Sequence, residues 1–464
     1  MTSPNADTSP QRAIVSAQPA HGRSLLLALF LLSLLLPIRP EVAGLRLDPY
    51  RLLLLIMFVP FLIKLLSGQA GRFTLSDGLL MLFALWAILT YIFHHGPQII
   101  PYALITSIEL LGGYMAGRLL VRSAVDYRRF IRFFMIALLV MFPFAVYELF
   151  TSRMLLSEVF GQFTTVISKN TGTGTERFGL SRVQVAFPHA IHFGFFCALA
   201  IANIYYLYRD SISRMLPQMG LALSMIFMSL SSAPFLAAFL QILIIIWGEL
   251  TSARWRLLVT LTASMYVILE LLSNRGPIVL LIEKMTLNPQ TAWWRIHIWD
   301  FGSQSVLNYP IMGIGLNEWV RPEWLQATVD NYWLLIAMRH GFPGIILLVL
   351  ALAVHVYSIV RIKTLNPRKK ALRTGYIVSL IGVLLTLATV HVWDAMNAFI
   401  MFYIGAGAFL YTSSSGEEEG EIFSKASILG GHTIQKQGIS RKPPLPFSQN
   451  PRPRRYQSRP PEVQ

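Results

Sequence analysis

Charged residues and cysteine are what this sequence is short of. Of its 464 residues only 13% are charged, and Cys197 is its single cysteine. A lone thiol inside an apolar run excludes an intrachain disulfide and a cysteine-built metal site, and it reads as packing. Acidic residues are scarcer than basic ones, 23 against 39, for a formal net charge of +16. So low a charge density argues against soluble domains: 54% of the residues are hydrophobic and the mean hydropathy is +0.54. The basic residues fall between apolar segments or in the tail, where they act as topology signals, and no nucleic-acid partner is expected. The composition predicts an all-α polytopic membrane protein.

A bilayer core requires roughly 20 apolar residues per helix, and runs of that order recur about twelve times. They lie near 24–38, 50–67, 77–95, 100–118, 130–150, 188–207, 215–231, 233–249, 256–272, 342–360, 374–392 and 395–411. Four connections are basic: Arg118 to Arg132, Arg209 to Arg214, Arg254 to Arg256, and RIKTLNPRKKALR from Arg361. In a twelve-span count all four fall on one side together with both termini, so the positive-inside rule makes that side cytoplasmic. Residues 1–23 read as a disordered polar tail before an uncleaved first helix. Residues 24–412 read as the transmembrane domain, and 413–464 as a disordered Pro/Arg-rich cytoplasmic tail.

Two long connections remain outside, about 151–187 and 273–341, together with the short hairpin SLSSAPFLAAF. Long outer loops are where function usually resides. The first closes on TERFGLSRVQVAFPHAIHFGFF, in which Arg177 and Arg182 precede His189 and His192. Histidines three residues apart share a helix face, but no acid or cysteine accompanies them, so polar packing or substrate contact is expected rather than a metal. The second loop holds Trp293, Trp294, Trp299, Trp319 and Trp324. Such a cluster is either an interfacial aromatic belt or a platform for the C–H faces of sugars. Arg295 reads either as a snorkelling side chain or as one jaw of an anion clamp with Arg182, because two guanidinium groups neutralise a diphosphate without a metal.

The segment VDNYWLLIAMRHGFPG places Asp330 and Asn331 just before an apolar helix that is cut by Gly341, Pro343 and Gly344. Asp and Asn are favoured helix caps, and Arg339 and His340 suit the dipole at that helix's end. A carboxylate there also serves as a general base for a sugar hydroxyl, with Glu318 as the substitute.

These residues carry a resemblance. Arg295, Trp299 and the run Asn308 to Gly315, followed by a polar dipeptide opening a helix that ends in G-x-x-G, resemble the O-antigen ligase and polymerase superfamily. The stretch RVQVAFPHAIHFGFF is similar to a second segment of that superfamily, and the likeness spans roughly residues 25 to 411. It implies a multi-spanning, GT-C-like, inverting glycosyltransferase that uses no metal or other cofactor and takes its glycan from undecaprenyl diphosphate. Its paired loop arginines map onto Arg182 and Arg295, and the active face is periplasmic in a bacterial inner membrane. Arg177, His189, Trp294, Trp299, Glu318, Trp319 and Asn331 are then the expected substrate contacts, with Asp330 as base.

Ligases that act on lipid A-core typically carry His-Asn or His-Ser where this chain has Asp330-Asn331, and Ser231-Ser232-Ala233-Pro234 replaces a Ser-Arg pair. The polymerase branch, in exopolysaccharide or O-antigen synthesis, therefore fits better than ligation. The expected partners are the lipid-linked oligosaccharide, membrane lipid and a chain-length regulator (a polysaccharide co-polymerase). The alternatives are a glycan ligase and a lipid-linked oligosaccharide flippase; against the latter, no internal repeat is evident and Glu109, Glu148, Glu249 and Glu270 read as lying near helix ends.

Overall fold

A computed structural model describes residues 20–42, 45–169, 176–272, 280, 289–363 and 365–412. The expected tails therefore fall outside the described residues, apart from the last few positions before the first span. Thirteen helices carry the fold: α1 (Ala20–Leu35), α2 (Pro49–Leu66), α3 (Leu75–His95), α4 (Pro97–Leu120), α5 (Ala124–Thr151), α6 (Ala190–Tyr208), α7 (Ile212–Met228), α8 (Ser232–Leu250), α9 (Trp255–Leu272), α10 (Pro289–Asn308), α11 (Tyr332–Val360), α12 (Pro367–Thr386) and α13 (Asp394–Thr412). Among the described residues, nine of them, α2–α6, α8, α9, α11 and α13, are long and apolar enough to cross a membrane. The remaining three of the twelve expected spans are also helices. Two, α1 and α7, are shorter, and α12 begins on the charged run Arg368-Lys369-Lys370. The protein is an all-α polytopic membrane protein; the strands among the described residues are two-residue pairs, Glu41–Val42 with Leu45–Arg46 and Glu176–Arg177 with Leu180–Ser181.

Local sequence sets the helix starts. Thr74 and Asp77 form a reciprocal capping box on α3, Ser123 caps α5, and Asn366 caps α12 ahead of Pro367. Between lipid-facing helices apolar burial gives no net drive, so close backbone packing has to supply the adhesion. The α4–α13 crossing shows it: a Cβ on Gly117 would strike the Phe402 carbonyl, and one on Gly405 the Tyr114 carbonyl. Beside this crossing Arg118 is buried and donates from Nε and Nη2 to Asp77 at 2.9 Å each, with Tyr114 adding a bond at 2.5 Å.

The connections that follow the odd-numbered spans all meet at one end. Ile38 bridges Val166, Arg39 N donates to the Thr165 carbonyl at 2.7 Å, and Leu316 N donates to His95 Nε2 at 2.8 Å. Val183 N donates to the Met228 carbonyl, and Tyr332 N reaches the carbonyls of Leu387 and Val390. That convergence is what alternating spans demand.

Three boundaries differ from the sequence reading. The span expected at 342–360 is preceded by a helical segment from Tyr332, so the second outer loop ends at Asn331 and itself contains α10. The two parts of α11 meet at Gly341, with φ 67° and ψ −172°. The span expected at 374–392 stops at Thr386, which leaves His391 in a loop; hydropathy runs through LLTLATVHVW without a Gly or Pro to mark the end. Glu109 lies inside α4, within a π-helical turn at Ile108–Gly112, rather than near a helix end.

The break at Gly341 is sealed by the loop carrying the NYPIMGIG run. Phe342 N donates to the Pro310 carbonyl at 2.7 Å, Ile314 N to the Met338 carbonyl at 2.8 Å and Gly315 N to the Arg339 carbonyl at 3.1 Å. A Cβ on Gly341 would overlap the Ile311 carbonyl, and the positive φ strains any other residue. Gly341→Ala should cost more than about 2 kcal/mol and lower the thermal midpoint in detergent. Gly220→Ala, at an exposed helical position where the added Cβ meets nothing within 4 Å, should not. Equal midpoints for the two variants would sink this account.

Candidate functional site

The converging loops enclose a cavity of about 1430 Å³. Its wall carries seven cationic side chains, Arg39, Lys169, Arg177, Arg182, Arg295, Arg321 and Arg339, against three acids, Glu176, Glu318 and Asp330. Such an excess concentrates anions, and the volume exceeds the roughly 300–1,000 Å³ of a small-molecule pocket. Of the expected site residues, Arg177, Arg182, His189, Trp294, Arg295, Glu318, Trp319 and Asp330 line it, drawn from two loops more than a hundred positions apart.

Arg182 is held from several sides. Its Nη2 donates to Ser231 Oγ at 2.8 Å, and the buried Ser231 hydroxyl in turn donates to the Ser229 carbonyl at 2.8 Å. The backbone beyond Arg182 is fixed by the buried Glu148 carboxylate at the end of α5, which accepts from Gln184 N at 3.1 Å and Val185 N at 2.8 Å. Lys169 pairs with Glu148 and also donates to the Arg182 carbonyl at 3.3 Å. The α7–α8 hairpin brings Leu230 into the left-handed region at φ 45°, and its carbonyl accepts from Arg177 at 2.8 Å. Burial and the neighbouring Arg177 charge pull the Arg182 guanidinium down to about 10, so it remains a cation at neutral pH in a poorly hydrated setting.

Arg295 projects from α10 and is 8% exposed. Asp330 precedes the first turn of α11, and the two feel each other's charge. Burial raises the Asp330 carboxyl above the usual carboxylate range, and Arg295 draws it part of the way back. Burial likewise lowers Arg295, while Asp330 raises it and Arg177 lowers it further. The cap of α11 is Asn331, whose Oδ1 accepts from Leu334 N at 3.0 Å. Asn331 is therefore engaged in the helix start and is not among the cavity-lining residues, and the cap leaves the neighbouring carboxylate available.

The tryptophans divide. Trp294 and Trp319 line the cavity, but Trp319 is 7% exposed and donates from Nε1 to the Ala327 carbonyl at 3.0 Å, shaping the wall. Trp299 packs against the core beneath the loop and lies outside the cavity lining. The exposed pair is Trp293 and Trp324, their rings 5.0 Å apart. Glu318 is exposed and pairs with Arg321 at 2.7 Å. His189 is the N-cap of α6, accepting from Ile191 N at 3.1 Å, and His192 is buried 4.0 Å from the Trp393 ring.

Among the cavity residues that were not expected contacts are Arg39, Ser231, His391 and Trp393. Arg39 follows the first span in the short segment PIRPE, and an arginine on the outer side of a span was a usable signal. Arg339, read as structural, also faces the cavity.

Residues 219–349, a little over a quarter of the chain, match the family model described as O-antigen ligase. The matched segment contains Ser231, Arg295, Asp330 and Gly341; Arg177, Arg182, His189 and His391 lie outside it. No match was found among the curated proteins.

Burial, with nearby arginine charge, depresses His189 to about 4 and His391 to about 3, from an ordinary imidazole value of 6.5. Both are neutral in the folded protein, and the unfolded chain binds more protons below pH 6.5. Their contribution to stability is present above that value and is lost as pH falls through the folded values. The thermal midpoint should drop between pH 7.5 and 5, and His189→Gln with His391→Gln should flatten part of the drop. An unchanged pH slope in the double variant would refute this.

Proposed function

We propose that this chain, which belongs to the O-antigen ligase/polymerase superfamily through residues 219–349, is a polysaccharide polymerase. It transfers glycan from an undecaprenyl-diphosphate donor to a sugar hydroxyl of a lipid-linked acceptor unit. The reading rests on one observation: a half-buried and a buried arginine from separate loops, Arg182 and Arg295, and a carboxylate of raised pKa line the same large cationic cavity. Asp330, where ligases carry histidine, favours polymerisation over ligation.

In this mechanism an oxygen lone pair of the acceptor hydroxyl forms a bond to the anomeric carbon as the bond from that carbon to the diphosphate oxygen breaks. Attack from the face opposite the leaving group inverts the configuration. Asp330 takes the hydroxyl proton, a role that burial favours because it raises the basicity of the carboxylate. The departing lipid diphosphate carries the electron pair away, and its negative charge is met by Arg182 and Arg295. A guanidinium keeps its charge throughout, so the clamp needs no proton transfer of its own. Ser231 and Glu148 act on this step through Arg182, which they position.

Given a defined undecaprenyl-diphosphate repeat unit, the purified protein should make longer glycans and release undecaprenyl diphosphate. Asp330→Asn should lower kcat about 100-fold or more. Arg182→Ala and Arg295→Ala should each lower kcat/KM for the donor by roughly 100-fold. Gel analysis of the glycans with mass spectrometry of the released lipid reads both. Full polymer synthesis by Asp330→Asn removes it as base, and transfer only to a lipid A-core acceptor replaces polymerase with ligase.

A further inference from the structure

A second cavity of about 500 Å³ lies beside the first, between α3, α4, the outer segment of α11 and the start of α13. The two share Leu335, Arg339, His391 and Trp393, which form a common wall. Part of the second cavity's wall is apolar, built from Phe83, Ala84, Ala87, Ile105, Leu110 and Ile336. The helices that supply it expose Leu82, Leu85, Leu89 and Leu104 on other faces, as lipid-facing helices do. The rest of the wall is charged. Asp394, held at φ 52°, accepts from Arg39 at 3.2 Å, Arg46 at 2.8 Å and Arg51 at 2.9 Å. Arg51 also donates to Glu109 at 2.5 Å, and Tyr50 donates to the same carboxylate oxygen.

Such a network among membrane helices is expensive and marks a functional place by default. The π turn at Ile108–Gly112, a feature common at functional sites, carries Glu109 in this network. The two acids of the cavity are bound to Arg39, Arg46 and Arg51, so Arg339 is the cation whose charge they do not neutralise. Beside it, His391 stacks between Tyr332 and Trp393, and its Nδ1 is buried without a hydrogen-bond partner.

We propose that this second cavity seats a second anionic isoprenoid lipid, the diphosphate end of the acceptor, with Arg339 as its charge contact. The acceptor's sugar then passes His391 and Trp393 into the main cavity. This rests on the polymerase reading for the acceptor's identity. The cavity's chemistry, an apolar wall with Arg339 beside it, calls for an amphiphile with an anionic head.

The probe is undecaprenyl diphosphate without glycan, titrated onto the purified full-length protein and counted by native mass spectrometry, with inorganic diphosphate as a parallel arm. The wild type should bind two lipids. Arg339→Glu and, separately, Ile105→Trp, which adds bulk to the apolar wall, should each lose one; the Arg182→Ala, Arg295→Ala double variant should lose the other. Arg339→Lys should retain both. In turnover, Ile105→Trp, at a residue that lines the second cavity alone, should raise KM for the acceptor about tenfold while leaving KM for the donor within about twofold, and Arg339→Glu should raise the acceptor KM as well. One lipid per wild-type chain, or two in both the Arg339→Glu and Ile105→Trp variants, overturns the proposal. Displacement of the Arg339-dependent lipid by inorganic diphosphate at equal concentration also overturns it, because the site would then hold the free anion without the isoprenoid. Two lipids bound by a protein that makes no polymer would uphold the second site and defeat the polymerase reading. Polymer made with acceptor KM unchanged in Arg339→Glu would do the reverse.

Discussion

A backbone group that leaves its helix at membrane depth must find another partner in the protein, and at Gly341 this constraint organises the outer face. The segments before and after Gly341 cannot continue as one straight ladder, so the run from Pro310 to Gly315 supplies the missing partners. Two consequences follow from that repair. The segment Tyr332–His340 is held over the main cavity with its N-terminus, and hence Asp330, facing inward. The loop that carries the repair is tied to the end of α10, which presents Arg295. Arg295 and Asp330 therefore come into electrostatic range through backbone bonding made elsewhere.

Arg182 reaches the same space by an unrelated route. A buried carboxylate, Glu148, gathers the backbone amides after Arg182, and a strained hairpin offers Ser231 and the Leu230 carbonyl. The cavity thus joins two loops that have no helix in common. Its burial does two things at once: it strips water from the arginines, which strengthens their attraction for an anion, and it raises the carboxylate's proton affinity.

Much of this was legible in the sequence. Twelve apolar runs and the distribution of arginines gave the helices and placed both long loops at one end, because bilayer thickness and charge placement act on composition directly. The grouping of Arg182, Arg295 and Asp330 followed from that topology together with the chemistry of those side chains. Other features were not legible. His391 sits in an apolar run that hydropathy reads as a span, and its position depends on where α12 stops. Asn331 and Asp330 are adjacent and chemically alike, so which one caps α11 is settled by backbone angles. Ser231 matters through a single bond to a residue 49 positions away.

The backbone contact between α4 and α13 has a consequence for motion. Where glycines let two helices touch main chain to main chain, neither can slide or tilt without a clash, and the pair moves as one beam. Asp394 and Glu109 ride on that beam, whereas Arg339 is carried by the segment Tyr332–His340, whose two ends are tied by backbone bonds to the loops around it. The wall shared by the two cavities is therefore carried partly beside the beam and partly by a segment pinned at both ends, and it widens only if those backbone bonds give way. Nine residues of helix, Tyr332–His340, rather than the bundle behind them, then decide how wide that shared opening is.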